Sequence, residues 1–218
     1  MNPAVRRFPW TVGIGVLLLI LALSLAFLLA KARSEAEQRQ TLPVISSIVD
    51  FSLTNQNDAA VTLTDLRGHV WIADIIFTRC PGPCLKMTHQ MKELQDALVK
   101  DTQARLVSLT TDPEYDTPAI LKTYGEHNGA NAARWTFLTG AKKQINNLAV
   151  DSLKLAAVEK KPEDRTSPED LWVHSTYFVI VDKHAQLRGV YQTGGDDVSW
   201  PVEKAKVLAA AKQLEREP

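Results

Sequence analysis

The chain reads as an α/β protein in which a mixed central sheet flanked by helices stands behind a single N-terminal transmembrane helix. Three observations predict this. Residues 10–30 carry no charged side chain and are dominated by Leu, Ile, Val and Ala, and about 20 apolar residues rising ~1.5 Å each are enough to span a bilayer. Beyond residue 42, short apolar runs alternate with stretches of helical periodicity, and the chain closes on two adjacent strand-like runs and a helix. That order belongs to a mixed sheet with helices on its faces. Between them, residues 71–87 run from an apolar strand through a Pro/Gly turn into a helix, and this stretch holds the only two cysteines, Cys80 and Cys84.

The apolar run comes first. Arg6 and Arg7 precede it, which keeps residues 1–9 in the cytoplasm, while Lys31 and Arg33 on the far side pull weakly the other way. The domain behind it then faces the periplasm or an equivalent extracytoplasmic space. A cleaved signal peptide is the competing reading, since Ala30-Lys31-Ala32 fits an A-x-A cleavage site. The run exceeds the roughly 7–15 apolar residues of a signal peptide, so a retained anchor over residues 10–30 is preferred. Residues 31–41, mostly polar and charged, form a tether, and residues 42–218 form the folded domain. With 25 basic and 25 acidic side chains in 218 residues and no basic cluster, nucleic acid is not expected as a partner.

Within the domain, residues 51–54 and 61–63 alternate apolar with polar around Asn55-Gln56-Asn57-Asp58, the pattern of a hairpin. Asp65-Leu66-Arg67-Gly68 turns the chain into the central strand. After the cysteines, Leu85, Met87, Met91, Leu94 and Leu98 share a helical stripe. Residues 105–109 are a short strand. A helix starts near Asp116 or Thr117, with Pro118 in its first turn and Gly125 or Gly129 at its end. Residues 135–138 are a strand, followed by a helix through Ile145 and Leu148. Residues 159–170 are charged and contain proline, a surface excursion. Residues 176–181 and 187–191 are strands around Asp182-Lys183-His184, and a last helix covers residues 201–215.

The cysteine stretch carries the chemistry. A helix N-terminus has unpaired N–H groups and a partial positive charge, both of which favour thiolate, the form that binds soft metals and attacks disulfides. Three residues between the sulfurs permit either a shared soft metal ion or oxidation to each other. The spacing is not the two-residue spacing of a thioredoxin motif, and no second cysteine pair completes a tetrahedral zinc site. A structural disulfide is the plain alternative, although so short a loop constrains the unfolded chain little. Outside the cytosol, a working dithiol needs a reductant or a metal to keep it. Met87 and Met91 are assigned to the core, and His69, His89, His127 and His184 to no site. Asp74, inside an apolar strand, calls for a raised pKa or a polar neighbour, and is a candidate proton relay for dithiol oxidation.

Four ordered motifs then converge: Phe77-Thr78-x-Cys80-Pro81-x-x-Cys84, Thr111-Asp112-Pro113-x-x-Asp116-Thr117-Pro118, Trp135-x-x-Leu138-Thr139-Gly140 and His174-Ser175-Thr176. Together they resemble the Sco/SenC family over the chain from about Phe51 onward. The resemblance implies a thioredoxin-like fold and a membrane-anchored assembly factor that delivers copper, as Cu(I) or Cu(II), to the dinuclear centre in the copper-bearing subunit of cytochrome c oxidase. It places the copper ligands at Cys80, Cys84 and His174, with Cys80 and Cys84 also forming a redox pair, and it admits a separate copper donor or thiol reductant. On that reading the chain is a metallochaperone rather than an enzyme. The alternative is a thiol-disulfide oxidoreductase that keeps the oxidase cysteines reduced; a thiol peroxidase using Thr78 and Arg79, or a redox or copper sensor, ranks lower. Leu85 departs from the family, which carries proline there, and so does Asp74 within its apolar strand.

Overall fold

The computed structural model describes residues 10–38, 41–80, 82–98, 102–165 and 172–218. The chain divides into two units, one ending at Thr41 and one spanning Leu42–Pro218. The first holds helix α1 (Trp10–Gln38), in which Gly13–Lys31 is long and apolar enough to cross a membrane. Its leucines point outward all round, as in Leu17, Leu18, Leu21 and Leu28. A helix apolar on every face and covered by nothing in its own unit is compatible with a membrane anchor.

The second unit runs β1 (Ser46–Ser47), β2 (Ser52–Asn55), β3 (Ala60–Thr62), α2 (Leu63–Leu66), β4 (Trp71–Ile76), α3 (Pro83–Leu98), β5 (Arg105–Thr110), α4 (Pro118–His127), β6 (Trp135–Thr139) and α5 (Lys142–Asn146). It continues through β7 (Ala157–Glu159), β8 (Trp172–His174), β9 (Tyr177–Val181), β10 (Gln186–Gln192) and α6 (Trp200–Arg216). Among the described residues eight strands form one sheet in the order β1-β10-β9-β4-β5-β6-β2-β3, and β7 and β8 pair separately. β4 runs parallel to β5 and antiparallel to β9, and β5 runs parallel to β6. Strand β4 is buried at every position, which is why it reads as a continuous apolar run rather than an alternating one.

Side chains alternate across β4. Trp71, Ala73 and Ile75 face a core completed by Leu63, Leu66, Ile145 and Leu148. Ile72 and Ile76 face the other core, where α3 contributes Met87, Met91, Leu94 and Leu98, α4 Leu121, and α6 Val207, Ala211 and Leu214. Met87 and Met91, at 1% and 0% exposure, are core residues as the periodicity required. Most expected elements stand within a residue or two of their places. Helix α4 starts at Pro118 with Thr117 as its cap, the Thr117 hydroxyl accepting from the Ile120 amide at 3.4 Å.

Two expectations change and a third gains detail. The segment Asp65-Leu66-Arg67-Gly68 was predicted as a turn only; Leu63–Leu66 is a short helix, because the Thr62 amide donates to the Asp65 carboxylate at 2.7 Å and caps it. The helix through Ile145 and Leu148 becomes a wider π turn over Asn147–Ser152, which turns Leu148, Ala149 and Ser152 inward. The Ser152 carbonyl there accepts from the Ser46 hydroxyl at 2.7 Å. The surface excursion over residues 159–170 stands at the surface in its described part, and the sequence reading missed the short ladder that flanks it: Ala157–Glu159 pairs antiparallel with Trp172–His174, and Pro162–Asp164 is a 3-10 turn. Residues 166–171 lie outside the described residues. Strands of three residues are too short for a period-2 signal to stand out in a charged stretch.

A buried ionic cluster joins the beginning of this unit to its end. Arg188, with 8% of its side chain exposed, pairs with Asp182 at 2.6 Å and Glu217 at 2.9 Å. Its Nε also donates to the Leu42 carbonyl at 3.0 Å.

Candidate metal centre

Strand β4 delivers the chain to the loop that starts with Phe77, itself only 2% exposed. The Cys80 amide donates to the Phe77 carbonyl at 3.2 Å and closes the turn. Helix α3 opens at Pro83, one residue before Cys84, so proline occupies a first-turn position where its missing N–H costs nothing. The Cys84 amide, among the N–H groups that a first turn leaves without a helical partner, donates to the Cys80 sulfur at 3.4 Å. Cys80 is half-buried and Cys84 is 1% exposed, both as thiols.

The expectation that the helix mouth favours thiolate at both positions does not hold for Cys84. Burial pushes its thiol far above the ordinary cysteine value, and the hydrogen bond to Cys80 and the nearby charge of Asp74 push the same way. Exclusion of water outweighs the helix terminus. The pair is therefore asymmetric, with an approachable sulfur at Cys80 and a sheltered one behind it.

The segment after β5 grips the cysteine loop from the side. Asp116, fully buried, accepts from the Thr78 amide at 3.1 Å, from the Thr78 hydroxyl, and from the Thr110 hydroxyl. Burial raises its carboxyl above the usual range, and those hydrogen bonds draw it part of the way back. Asp112 pairs with Arg79 at 2.5 Å and holds that guanidinium above its ordinary value, while the Arg79 guanidinium lies 4.0 Å over the Tyr115 ring. These roles were not readable from the sequence. The one trace in the sequence is that Asp112 and Asp116 stand together in one of the four ordered motifs.

Behind the sulfurs, Asp74 is fully buried on the face that carries Ile72 and Ile76, in register with Ser108 of β5. Its charge reaches both the Cys84 thiol and the Tyr124 phenol and raises both. Tyr124 of α4, not foreseen as a site residue, shares a 2.7 Å hydrogen bond with the Thr88 hydroxyl, and burial raises its phenol. Among the histidines assigned to no site, His89 and His127 are exposed. His69 contacts Arg105 at 2.7 Å and His184 contacts the Pro218 carbonyl at 2.8 Å.

The structure thus brings Cys80 and Cys84 together. The backbone of His174 ends β8, paired with Ala157, and the next amide, Ser175, donates to the Ala156 carbonyl at 2.9 Å. His174 stands just before the apolar strand β9, as the sequence reading has it, and its backbone also closes the separate β7–β8 ladder; its side chain is outside the described part of the molecule.

The family model described as SCO1/SenC matches residues 40–207. A SCO1 protein homolog of Bacillus subtilis is 34% identical over 172 residues, covering 76% of this chain and 86% of that protein. A Stutzerimonas stutzeri protein whose name describes copper binding is 31% identical over 150 residues, covering 68% of this chain and 70% of its own. Among solved structures, BsSco, described as a member of the Sco family of cytochrome c oxidase assembly proteins with a disulfide switch, superposes with a TM-score of 0.64 at 28% identity, over 79% of this chain and 98% of that one. With its mixed sheet, its helices and its cysteine pair at the mouth of α3, the fold is thioredoxin-like, and this chain belongs to the SCO1/SenC family.

Proposed function

We propose that this chain binds copper through Cys80, Cys84 and His174 and passes it to the dinuclear copper centre of cytochrome c oxidase. The observation that carries the reading is the Cys84 amide hydrogen-bonded to the Cys80 sulfur at 3.4 Å, which sets two soft donors at one helix mouth, one sheltered and one within reach. Two thiolates and an imidazole suit Cu(I) and accept Cu(II), and three donors leave room for an incoming ligand. Donors of the oxidase subunit then engage the ion before Cys80 and Cys84 release it. Binding requires both thiols to give up their protons, so the burial that holds Cys84 protonated makes loading release protons and makes affinity rise with pH. The family membership and the copper-binding relative support the same reading. In this reading residues 10–30 anchor the chain, residues 31–41 tether the domain over residues 42–218, and that domain faces the periplasm or its equivalent.

A second reading, a thiol-disulfide oxidoreductase acting on the oxidase cysteines, draws on the asymmetry of the pair: Cys80 attacks a partner disulfide and Cys84 resolves the mixed disulfide. A thiol peroxidase is disfavoured, because Arg79, the cation nearest Cys80 in sequence, is already engaged by Asp112 and Tyr115. The test is an anaerobic Cu(I) titration of the reduced full-length protein in detergent. It should bind one Cu(I) per chain, and Cys80→Ser or Cys84→Ser should abolish binding. Stoichiometric Cu(I) in the double serine variant would overturn the assignment.

A further inference from the structure

We infer that Asp116 is a positioning residue for Cys80, holding the loop in which the first sulfur stands; the inference rests on the reading of Cys80 and Cys84 as a working pair. One residue, Arg79, separates Thr78 from Cys80, and Asp116 takes both the amide and the hydroxyl of Thr78. A third bond, from Thr110 at the end of β5, fixes the carboxylate itself. Its own backbone is equally tied down. The Asp116 amide donates to the Asp112 carbonyl at 2.8 Å, and the Thr111 amide donates to the Ile76 carbonyl at 2.8 Å. The grip therefore runs from the ends of two neighbouring parallel strands to the cysteine loop.

The loop has a second hold, and exposure decides between them. Arg79 has 39% of its side chain in solvent, so its pair with Asp112 is screened by water and contributes little. Asp116 has 0% exposure, and hydrogen bonds to a buried carboxylate are stronger than those between neutral groups or in water. A carboxylate is costly to bury, and here all three donors converge on one side chain, two of them from Thr78, two positions before Cys80.

The test needs no metal. Full-length protein in detergent is reduced, and two quantities are measured: the rate at which Cys80 is alkylated at fixed pH, and the dithiol–disulfide equilibrium against glutathione, in which Cys80 and Cys84 give two electrons and two protons to glutathione disulfide. Asp116→Ala, which deletes all three bonds, should change each by about tenfold or more. Asp116→Asn should restore both to within about twofold, because its carbonyl still accepts from the Thr78 amide while its amide donates to the Thr78 hydroxyl. Leu148→Ala, in the core on the opposite face of the sheet, serves as a control that loses stability without touching the loop. If Asp116→Ala matches that control in both measurements, the inference is overturned. Where Asp116→Ala does not fold, Thr78→Val, which deletes one of the three bonds, is read in the same way with a smaller shift expected, and an unchanged value overturns the inference. A Cu(I) titration of the wild type separates the two ideas. One Cu(I) bound with unchanged thiol behaviour in Asp116→Ala removes the positioning role alone; no Cu(I) bound with altered thiol behaviour removes the copper reading and leaves the positioning role standing.

Discussion

Replacing Arg188 by Met keeps the aliphatic packing of the side chain and deletes its charge. Asp182, whose side chain is 3% exposed, loses its cation, Glu217 loses a partner, and the Leu42 carbonyl loses its donors. Removing one member of a buried ion pair costs about 3–5 kcal/mol, most of it the penalty of stranding the other charge. Asp182 is not stranded altogether, because the His184 and Gln186 amides each donate to it at 2.9 Å, and Glu217 is 23% exposed and can turn to water. The cost therefore falls near the lower end, about 3 kcal/mol, which for a chain of this size lowers the melting temperature by roughly 6–12 °C. Trp71 and Trp135, both fully buried, provide a near-ultraviolet dichroism signal that follows tertiary packing in the full-length protein. Asp182→Asn added to Arg188→Met should recover more than half of the loss, since no buried charge is left unpaired. A loss below ~1 kcal/mol, the size of a surface ion pair, would refute the reasoning.

Replacing His174 by Ala should weaken Cu(II) binding strongly and Cu(I) binding less, since Cu(I) tolerates two thiolates; competition titrations in both oxidation states measure the difference, and equal losses would count against a third-ligand role. In cells, that variant should lose oxidase activity and recover with added copper if delivery is the function, and respire normally if dithiol reduction is. Asp74→Asn should lower the Cys84 thiol pKa and move dithiol oxidation to lower pH, because the carboxylate opposes a buried thiolate; an unchanged pH profile would leave Asp74 a structural residue. His69 has its pKa depressed, first by burial and then by Arg105, so its contribution to stability is present above the unfolded value of about 6.5 and lost as pH falls through the lower folded value. Denaturant melts across that range should show the decline, and His69→Gln should flatten it.

The readable and unreadable parts of this molecule divide by range of interaction. Strand β4, helix α3 and the cap of α4 follow from local pattern: an apolar run bounded by Pro and Gly, a stripe through Met87, Met91 and Leu94, a Thr-Pro helix start. Cys80 and Cys84 are marked by spacing and turn chemistry alone. Contacts between distant positions leave no such mark. Thr78 and Asp116 are 38 residues apart and Arg188 and Leu42 are 146 apart, and no period in either segment announces the pairing. Strands β7 and β8 sit between these cases: each is locally plausible as strand, but at three residues each the pattern is too brief to outweigh the charged stretch between them. The protonation of Cys84 was misjudged for a related reason, since a helix terminus can be read from sequence and the depth of burial at that terminus cannot.

The outermost strands of the large sheet are β1 at one end and β3 at the other, only two and three residues long. An exposed sheet edge is a template on which another chain can add, and its danger grows with the length of unpaired backbone it offers. At β1 and β3 themselves an incoming strand would find too few hydrogen bonds to offset the order it must acquire, whereas β1 pairs only with Gln186 and Leu187, so the rest of β10 is the longer flank that the sheet offers on that side.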